Sequence, residues 1–269
     1  MNFMKPPASS IELHLQGLPA SPGIAIGPAM CVRRRVPTVA PQAIPADMVE
    51  QEVARFRDAM SRSVKELQKI KQTAFDRIGK QASSIFDAQL MMLTDDTVMA
   101  AIEATIHRDR IDAENATLTE FSKLERVLLE SHDSIFRDRA DDIRDMMERI
   151  VRNLQRDRIV STFKGEAVVV AETLSPADTI VLSRNRVLAF VMDGGGLTSH
   201  AVILARSLGI PAVIGVRTAL DCAEANATII VDGDTGAVVI NPAPATLKEF
   251  EEKRERLAQL TARLGEIAG

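Results

Sequence analysis

The hydrophobic pattern of the chain changes twice, which divides it into three stretches. Residues 11–32 alternate short apolar groups with Gly and Pro, which is typical of strands and turns. From Asp47, apolar residues recur in steps of three and four as far as Ala74, which predicts a long packed helix that ends at Gly79. Further helices are predicted at 84–93, from Asp95 or Asp96 to Ile106, and at 113–130 and 135–154.

Strand patterns return in the last third. β-branched runs predict strands at 167–171, 186–192, 212–215, 228–232 and 237–241, with a hairpin turn at 232–236 and a charged amphipathic helix at 247–267. These patterns predict an α/β domain interrupted by an all-helical insert. The expected boundaries are a flexible lead at 1–16, the α/β domain at 17–45 plus 158–243, the insert at 46–157, and a C-terminal linker helix at 244–269.

One stretch joins a predicted strand to a predicted helix through three glycines. The apolar run 186–192 is followed by Asp193 and Gly194 to Gly196, and helical spacing resumes at Val202, which puts His200 in the first turn of a helix. A helix N-terminus offers unpaired N–H groups and a partial positive charge, which attract phosphate oxygens and disfavour an imidazolium. His200 is therefore a candidate phosphoryl acceptor. An ordinary histidine at a helix start explains the spacing equally well.

The residues before His200 suit a bound phosphate. Gly195 and Gly196 allow the backbone to approach an anion closely, and Thr198 and Ser199 add hydroxyl donors and a natural N-cap. We predict that these four residues cradle the phosphoryl group. The stretch is not a nucleotide loop, because no Lys-Ser/Thr follows the glycines.

Residues 195–200 and the run that follows them to Val213 resemble the phosphohistidine signature of enzymes that exchange phosphoryl groups with phosphoenolpyruvate. These include enzyme I of the phosphotransferase system, pyruvate phosphate dikinase and phosphoenolpyruvate synthase. The opening 21–29 resembles that of enzyme I, which the dikinases lack, and 85–93, 136–154 and 174–179 resemble enzyme I as well. The resemblance implies a swivelling phosphohistidine domain of β/β/α type with an inserted all-helical subdomain.

The resemblance also implies a reaction. In enzyme I the phosphoryl group of phosphoenolpyruvate passes to Nε2 of the histidine that matches His200, and then to a histidine phosphocarrier protein. Thr179 would hydrogen-bond the other ring nitrogen of His200. Phosphoenolpyruvate and Mg²⁺ bind in the second half of enzyme I, which this chain does not include. We therefore expect exchange with the carrier but no labelling from phosphoenolpyruvate.

In the family the helical insert docks the carrier. The expected contact residues are Phe86, Gln89, Met92, Asp95 and Arg139. Methionine-rich faces are common on docking surfaces, although bundle core explains the same side chains. Many family members have histidine at the position of Gln89, and the sugar branch often has arginine at that of Leu197, so the branch stays open between sugar transport and nitrogen regulation.

Composition excludes some classes of protein. The 269 residues are 46% hydrophobic and only 3% aromatic, with a net charge of −4 and no basic stripe, which argues against nucleic-acid binding. Cys31 and Cys222 lie in apolar or small-residue settings, which favours free thiols and a cytoplasmic location. Two alternatives remain: a fragment of a dikinase or phosphoenolpyruvate synthase, and a non-catalytic docking module.

Overall fold

The computed structural model describes residues 11–33, 43–130, 134–155 and 165–268, and the chain separates into two compact units. The α/β unit comprises residues 1–34 and 163–269, and the helical unit comprises residues 35–162. Residues 1–10 of the predicted lead, the proline-rich loop at 34–42 and the segment 156–164 lie outside the described residues.

The elements follow the order that the sequence pattern predicts; the first β stretch, 11–32, contains three strands, and a short helix that was not predicted forms at Ala219–Cys222. The strands are β1 Leu13–Gln16, β2 Leu18–Ser21, β3 Ile24–Val32, β4 Glu166–Ala171, β5 Arg186–Met192, β6 Ala212–Ile214, β7 Thr228–Asp232 and β8 Ala237–Ile240. The helices are α1 Val49–Ser83, α2 Ile85–Leu93, α3 Asp96–Asp109, α4 Ala113–Leu129, α5 Ser134–Gln155, α6 Pro176–Ser183, α7 His200–Ser207, α8 Ala219–Cys222 and α9 Pro244–Ala268.

The strands form one mixed sheet in the order β1-β8-β7-β3-β4-β5-β6-β2. β3, β4, β5 and β6 are parallel neighbours, whereas β1, β2, β7 and β8 pair antiparallel. β3 pairs with β7 through Ile24–Pro28 and with β4 through Ala29–Val32, so it passes from the antiparallel part of the sheet to the parallel part midway along its length.

Gly17 connects the two strands that lie at opposite ends of the sheet. β1 and β2 stand at opposite ends of the strand order, yet only Gly17 separates them in the chain, so the strand bends there from one half of the sheet to the other. The Gly17 N–H donates to the carbonyl oxygen of Gly236 at 2.9 Å. The lead predicted over 1–16 is therefore wrong for residues 13–16, which pair with β8. Residues 13–16 belong to the stretch 11–32, whose pattern is typical of strands and turns, and the structure follows that pattern rather than the predicted boundary of the lead.

Two hydrophobic cores lie on opposite faces of β4 and β5. On one face, Val168, Val170 and Val191 pack towards the antiparallel strands and α8. On the other, Val169 and Phe190 pack against side chains of α7. Because both faces are buried, these strands read as continuous apolar runs rather than alternating ones. α6 and α7 are thereby held over the same layer of the sheet.

The helical unit is built around α1 and α5. Its largest fully buried side chains include Phe56 of α1 and Ile143, Met146 and Ile150 of α5. The first long helix is interrupted at Gly79, as predicted: Gly79 has φ 81° and lies outside the helical range, and a second, short helical segment within α1 continues to Ser83. Glycine adopts this conformation without the steric cost that a side chain would add. None of the helices described is both long enough and apolar enough to cross a membrane.

Asp232 fastens α9 to the sheet. The carboxylate is 1% exposed and accepts hydrogen bonds from Lys253 Nζ at 2.5 Å and from the N–H groups of Asp234 and Thr235 at 3.1 and 3.2 Å. Burial alone would raise the pKa of Asp232, but these donors outweigh it and hold the pKa below its ordinary value of 3.8.

We expect Gly17→Ala to lower the free energy of unfolding by about 1–3 kcal/mol. A Cβ at Gly17 would lie 2.6 Å from the carbonyl oxygen of Ile214 and 2.7 Å from Val213 Cγ1, so backbone must move. Chemical denaturation measures the change. Gly196→Ala is the matched control, because its Cβ would meet only Thr198 Oγ1, at 3.9 Å. Equal stability of the two variants would contradict the closure at Gly17.

We expect Asp232→Asn to destabilise the protein by about 1–3 kcal/mol at neutral pH, because it removes the charge that Lys253 binds. Since the folded pKa of Asp232 lies below 3.8, its contribution is present above that value and is lost as the pH falls through the folded pKa. The difference between variant and wild type should therefore shrink in acid. Denaturation at several pH values tests this, with Glu251→Gln on an exposed part of α9 as the control.

Candidate functional site

The loops that follow β4, β5 and β6 meet at one edge of the sheet. The three strands are parallel neighbours, so their carboxyl ends lie side by side. The Asp193 N–H donates to the carbonyl oxygen of Ala171 at 3.0 Å, and the Gly194 N–H donates to that of Glu172 at 2.8 Å. The carboxyl edge of parallel strands is where α/β proteins commonly bind ligands.

The segment after β6 joins the same edge. The Val216 N–H donates to the carbonyl oxygen of Met192, and the Arg217 N–H donates to that of Asp193, both at 3.2 Å. These bonds extend the pairing of β5 and β6 past the ends of the strands. These hydrogen bonds therefore fix the position at which the glycine loop begins.

Asp193 is a structural residue of the site that the sequence analysis missed. Its carboxylate accepts hydrogen bonds from the N–H groups of Ala219 at 2.7 Å and Leu220 at 2.9 Å, which caps α8. The signal for Asp193 in the sequence was its position as an acidic residue directly after a predicted buried strand. Its acceptor role could not be read from the sequence, because both donors lie more than 20 residues away.

The glycine loop leaves open space in front of α7. Gly195 has φ 94°, a conformation that favours glycine, and a Cβ there would meet nothing within 4 Å. The Ser199 N–H donates to the carbonyl oxygen of Gly196 at 3.0 Å, which forms a tight turn before the helix. Gly195, Gly196 and Thr198 are exposed.

His200 is the first residue of α7, as the helical spacing predicts, and is half-buried. Ser199 occupies the N-cap position but its side chain makes no capping hydrogen bond. α7 buries Ala201, Val202, Leu204 and Ala205 against the sheet. This packing fixes the first turn of the helix, and with it the backbone of His200.

Thr179 lies inside α6, which packs against α7. It is 1% exposed, and its hydroxyl donates to the carbonyl oxygen of Ser175 at 2.9 Å. Ser175 also caps α6, accepting from the Asp178 N–H at 3.0 Å. A threonine hydroxyl has one proton, so with this bond in place Thr179 can serve another group only as an acceptor.

The predicted contact residues of the helical unit divide into two groups. Phe86 is 0% exposed and Gln89 is 4% exposed, with Gln89 Nε2 donating to Asp142 Oδ1 at 3.0 Å. This burial corrects the expected contact role of both: they belong to the interior, where neither can meet a partner. A short apolar run does not reveal which of its sides faces the bundle.

The other three contact candidates reach the surface. Met92 is half-buried, and Asp95 and Arg139 are exposed. Asp95 caps α3 by accepting from the Thr97 N–H at 2.7 Å, and this hydrogen bond lowers the pKa of its carboxyl group. Met91, which belongs to the same methionine-rich run, is 73% exposed.

A second exposed apolar group lies on α4. Leu124, Val127 and Leu129 are 38%, 67% and 50% exposed. No signal in the sequence separated these residues from the core residues of the same helix.

We also tested whether the residues present fit a divalent cation. Within the described ranges, no group of three or more His, Cys, Asp or Glu side chains could hold a metal ion. No catalytic step is therefore derived through Mg²⁺ in this chain.

Two family models match the chain. The model described as PEP-utilising enzyme, N-terminal, matches residues 16–139, and the one described as PEP-utilising enzyme, mobile domain, matches residues 163–236. The second match contains the glycine loop and His200.

Curated relatives are also named as enzymes that use phosphoenolpyruvate. The phosphoenolpyruvate-protein phosphotransferase of Bacillus subtilis (strain 168) is 40% identical over 243 residues, covering 89% of this chain and 42% of the relative. That of Geobacillus stearothermophilus is 38% identical over 248 residues, covering 91% and 42%. The chain thus spans less than half the length of these relatives. Their names favour enzyme I over the dikinase alternative.

Solved structures confirm the predicted fold class. The solution structure titled Enzyme I (nEIt) superposes with a TM-score of 0.75 at 36% identity, covering 91% of this chain and 99% of that chain. The N-terminal domain of Enzyme 1 - Nitrogen gives a TM-score of 0.60 at 25% identity, covering 88% and 98%. The chain belongs to the enzyme I family of PEP-utilising enzymes and matches the amino-terminal part of its members.

Proposed function

We propose that this chain carries a phosphoryl group on His200 and exchanges it with a histidine phosphocarrier protein. The observation that carries the proposal is the position of His200 at the first residue of α7, behind an open glycine loop and at the carboxyl edge of parallel strands. A helix N-terminus favours a phosphate and disfavours an imidazolium, and this favours the neutral, nucleophilic form of His200 that the proposal requires.

In this proposal Thr179 selects the tautomer of His200. Because its hydroxyl proton is donated to Ser175, Thr179 Oγ1 acts as an acceptor, and the ring nitrogen that faces it must be protonated. With the proton on Nδ1, the lone pair on Nε2 is free to attack phosphorus. Thr179 is thus a positioning residue that acts through His200.

The transfer step moves one phosphoryl group between two histidines. The Nε2–P bond of His200 forms as the N–P bond of the phosphorylated carrier breaks, and the electron pair of the broken bond returns to the carrier imidazole. No proton needs to move, since Nδ1 of His200 keeps its hydrogen. In our proposal the backbone of Gly195 and Gly196 and the hydroxyls of Thr198 and Ser199 hold the phosphoryl oxygens.

We also propose where the phosphoryl group originates. In the longer relatives, named phosphoenolpyruvate-protein phosphotransferases, phosphoenolpyruvate is the donor. We assign binding of phosphoenolpyruvate, with the Mg²⁺ that would balance its charge, to the part of those relatives that this chain does not match. Residues 1–269 should therefore exchange with the carrier and not react with phosphoenolpyruvate alone.

The helical unit is our proposed docking site for the carrier. Exposed Met91 lies on α2 beside half-buried Met92, and Asp95 follows the helix. Arg139 is exposed on α5. Methionine side chains adapt to an apolar partner surface, and the charged groups set the orientation of the complex. The carrier of either branch, sugar transport or nitrogen regulation, fits this description.

Intact-mass spectrometry with a phosphorylated carrier tests the assignment of His200. We expect wild type to gain one acid-labile phosphoryl group and His200→Ala to gain none, because the acceptor nitrogen is removed. His107→Ala, at an exposed histidine of α3, is the matched control and should be labelled like wild type. Full labelling of His200→Ala would overturn the assignment. If wild type stays unlabelled with carriers of both branches, only the docking-module alternative survives.

We expect Met91→Ser to weaken carrier binding about tenfold, which corresponds to about 1.4 kcal/mol, because it removes an exposed apolar contact. Thermal unfolding should not change, since the side chain is 73% exposed. Isothermal titration with both types of carrier measures the affinity. Met48→Ser, at a methionine of the same unit that is 39% exposed, is the control. Unchanged affinity in Met91→Ser would place the docking surface elsewhere.

A further inference from the structure

Arg217 lies at the edge of the sheet from which the glycine loop departs. It is in the turn between β6 and α8, and its N–H donates to the carbonyl oxygen of Asp193 at 3.2 Å. Asp193 begins the loop that ends at His200. This hydrogen bond therefore joins the turn that contains Arg217 to the start of the loop that ends at His200.

The backbone at this position does not favour arginine. Arg217 has φ 74°, in the left-handed region where a side chain costs free energy and glycine does not. A glycine at this position would make the same backbone hydrogen bond at a lower conformational free energy. A strained residue beside a candidate site points to a role for its side chain.

Three other arginines of the α/β unit are engaged elsewhere. Arg33 binds Asp221 and the carbonyl oxygen of Leu220, Arg186 binds Glu166 at the amino ends of β4 and β5, and Arg206 binds the carbonyl oxygen of Ala20. Arg217 differs from them: it is exposed, and within the described part of the chain its guanidinium makes no hydrogen bond or ion pair. Nor is the Asp193 carboxylate a competing partner, since it accepts from Ala219 and Leu220.

We propose that Arg217 binds the phosphoryl group on His200 and stabilises the phosphorylated chain against return of the group to the carrier. This inference rests on the proposed function of His200. A phosphoryl group near neutral pH carries between one and two negative charges, and a guanidinium can bind two of its oxygens at once. The helix N-terminus and the glycine loop provide backbone donors, and exposed Arg217 adds a full positive charge at the same edge.

The proposal predicts a measurable shift in phosphoryl exchange. A cation close to the phosphoryl group favours its dianion, so removing that cation should raise the pKa of the second phosphate ionisation. It should also move the equilibrium between carrier and chain towards the phosphorylated carrier. A role limited to the backbone of the turn would change neither quantity.

The test compares Arg217→Gln, Arg217→Lys and Arg217→Gly with wild type and with Arg184→Gln, at an exposed arginine between α6 and β5. Intact mass at equilibrium with the phosphorylated carrier gives the exchange constant, and phosphorus NMR titration gives the phosphate pKa. We expect Arg217→Gln and Arg217→Gly to lower the exchange constant about fivefold and to raise the phosphate pKa. Arg217→Lys should recover part of both effects, and Arg184→Gln should match wild type.

Thermal unfolding separates this role from a structural one. Arg217→Gly should be at least as stable as wild type, because it relieves the strain of the left-handed backbone conformation. Its exchange constant should nevertheless be lower than that of wild type. If Arg217→Gln matches wild type in both exchange and phosphate pKa, the proposal is overturned. Failure of the proposed function gives a different result, since wild type itself would then carry no phosphoryl group on His200.

Discussion

The hydrogen bonds that converge on Asp193 hold the candidate site together. Its N–H and carbonyl oxygen join the ends of β4 and β6 to β5, and its carboxylate caps α8. One residue thus ties three parallel strands and a helix to the start of the glycine loop. From Gly195 onward the loop has open space around it. The site therefore combines a fixed base with an open glycine loop, and in our proposal the backbone of that loop holds a phosphoryl group.

The positions of α6 and α7 depend on the same buried layer of the sheet. α6 and α7 cover one face of β4 and β5, whose other face packs towards the antiparallel strands. Close-packed interiors have little freedom to deform, so the distance between the first turn of α7 and Thr179 is set by the core. Hydrogen bonding alone could not do this, because a single side-chain bond is worth only about 1 kcal/mol. Burial positions the helices, and in our proposal Thr179 then selects the tautomer of His200.

Much of this arrangement can be predicted from the sequence, and the reasons for the failures are physical. The apolar run into Asp193 and the helical spacing after His200 are local signals, and both elements form where the pattern places them. The pattern at 11–32 indicated strands, but the boundary of the flexible lead was placed too late, because the partner that orders β1 is β8, more than 200 residues away. The interior position of Gln89 depends on its bond to Asp142 of another helix, which no local pattern records.

The bend at Gly17 has a consequence for how this protein can meet other proteins. The two terminal strands of the sheet are four residues each and are continuous through that glycine, so no long row of unpaired backbone groups is presented to solvent in the described α/β unit. Long open edges invite strand addition and aggregation. With that route restricted, recognition of other proteins falls to side chains on helices and loops, whose contacts can form and dissociate repeatedly, as the proposed transfer requires.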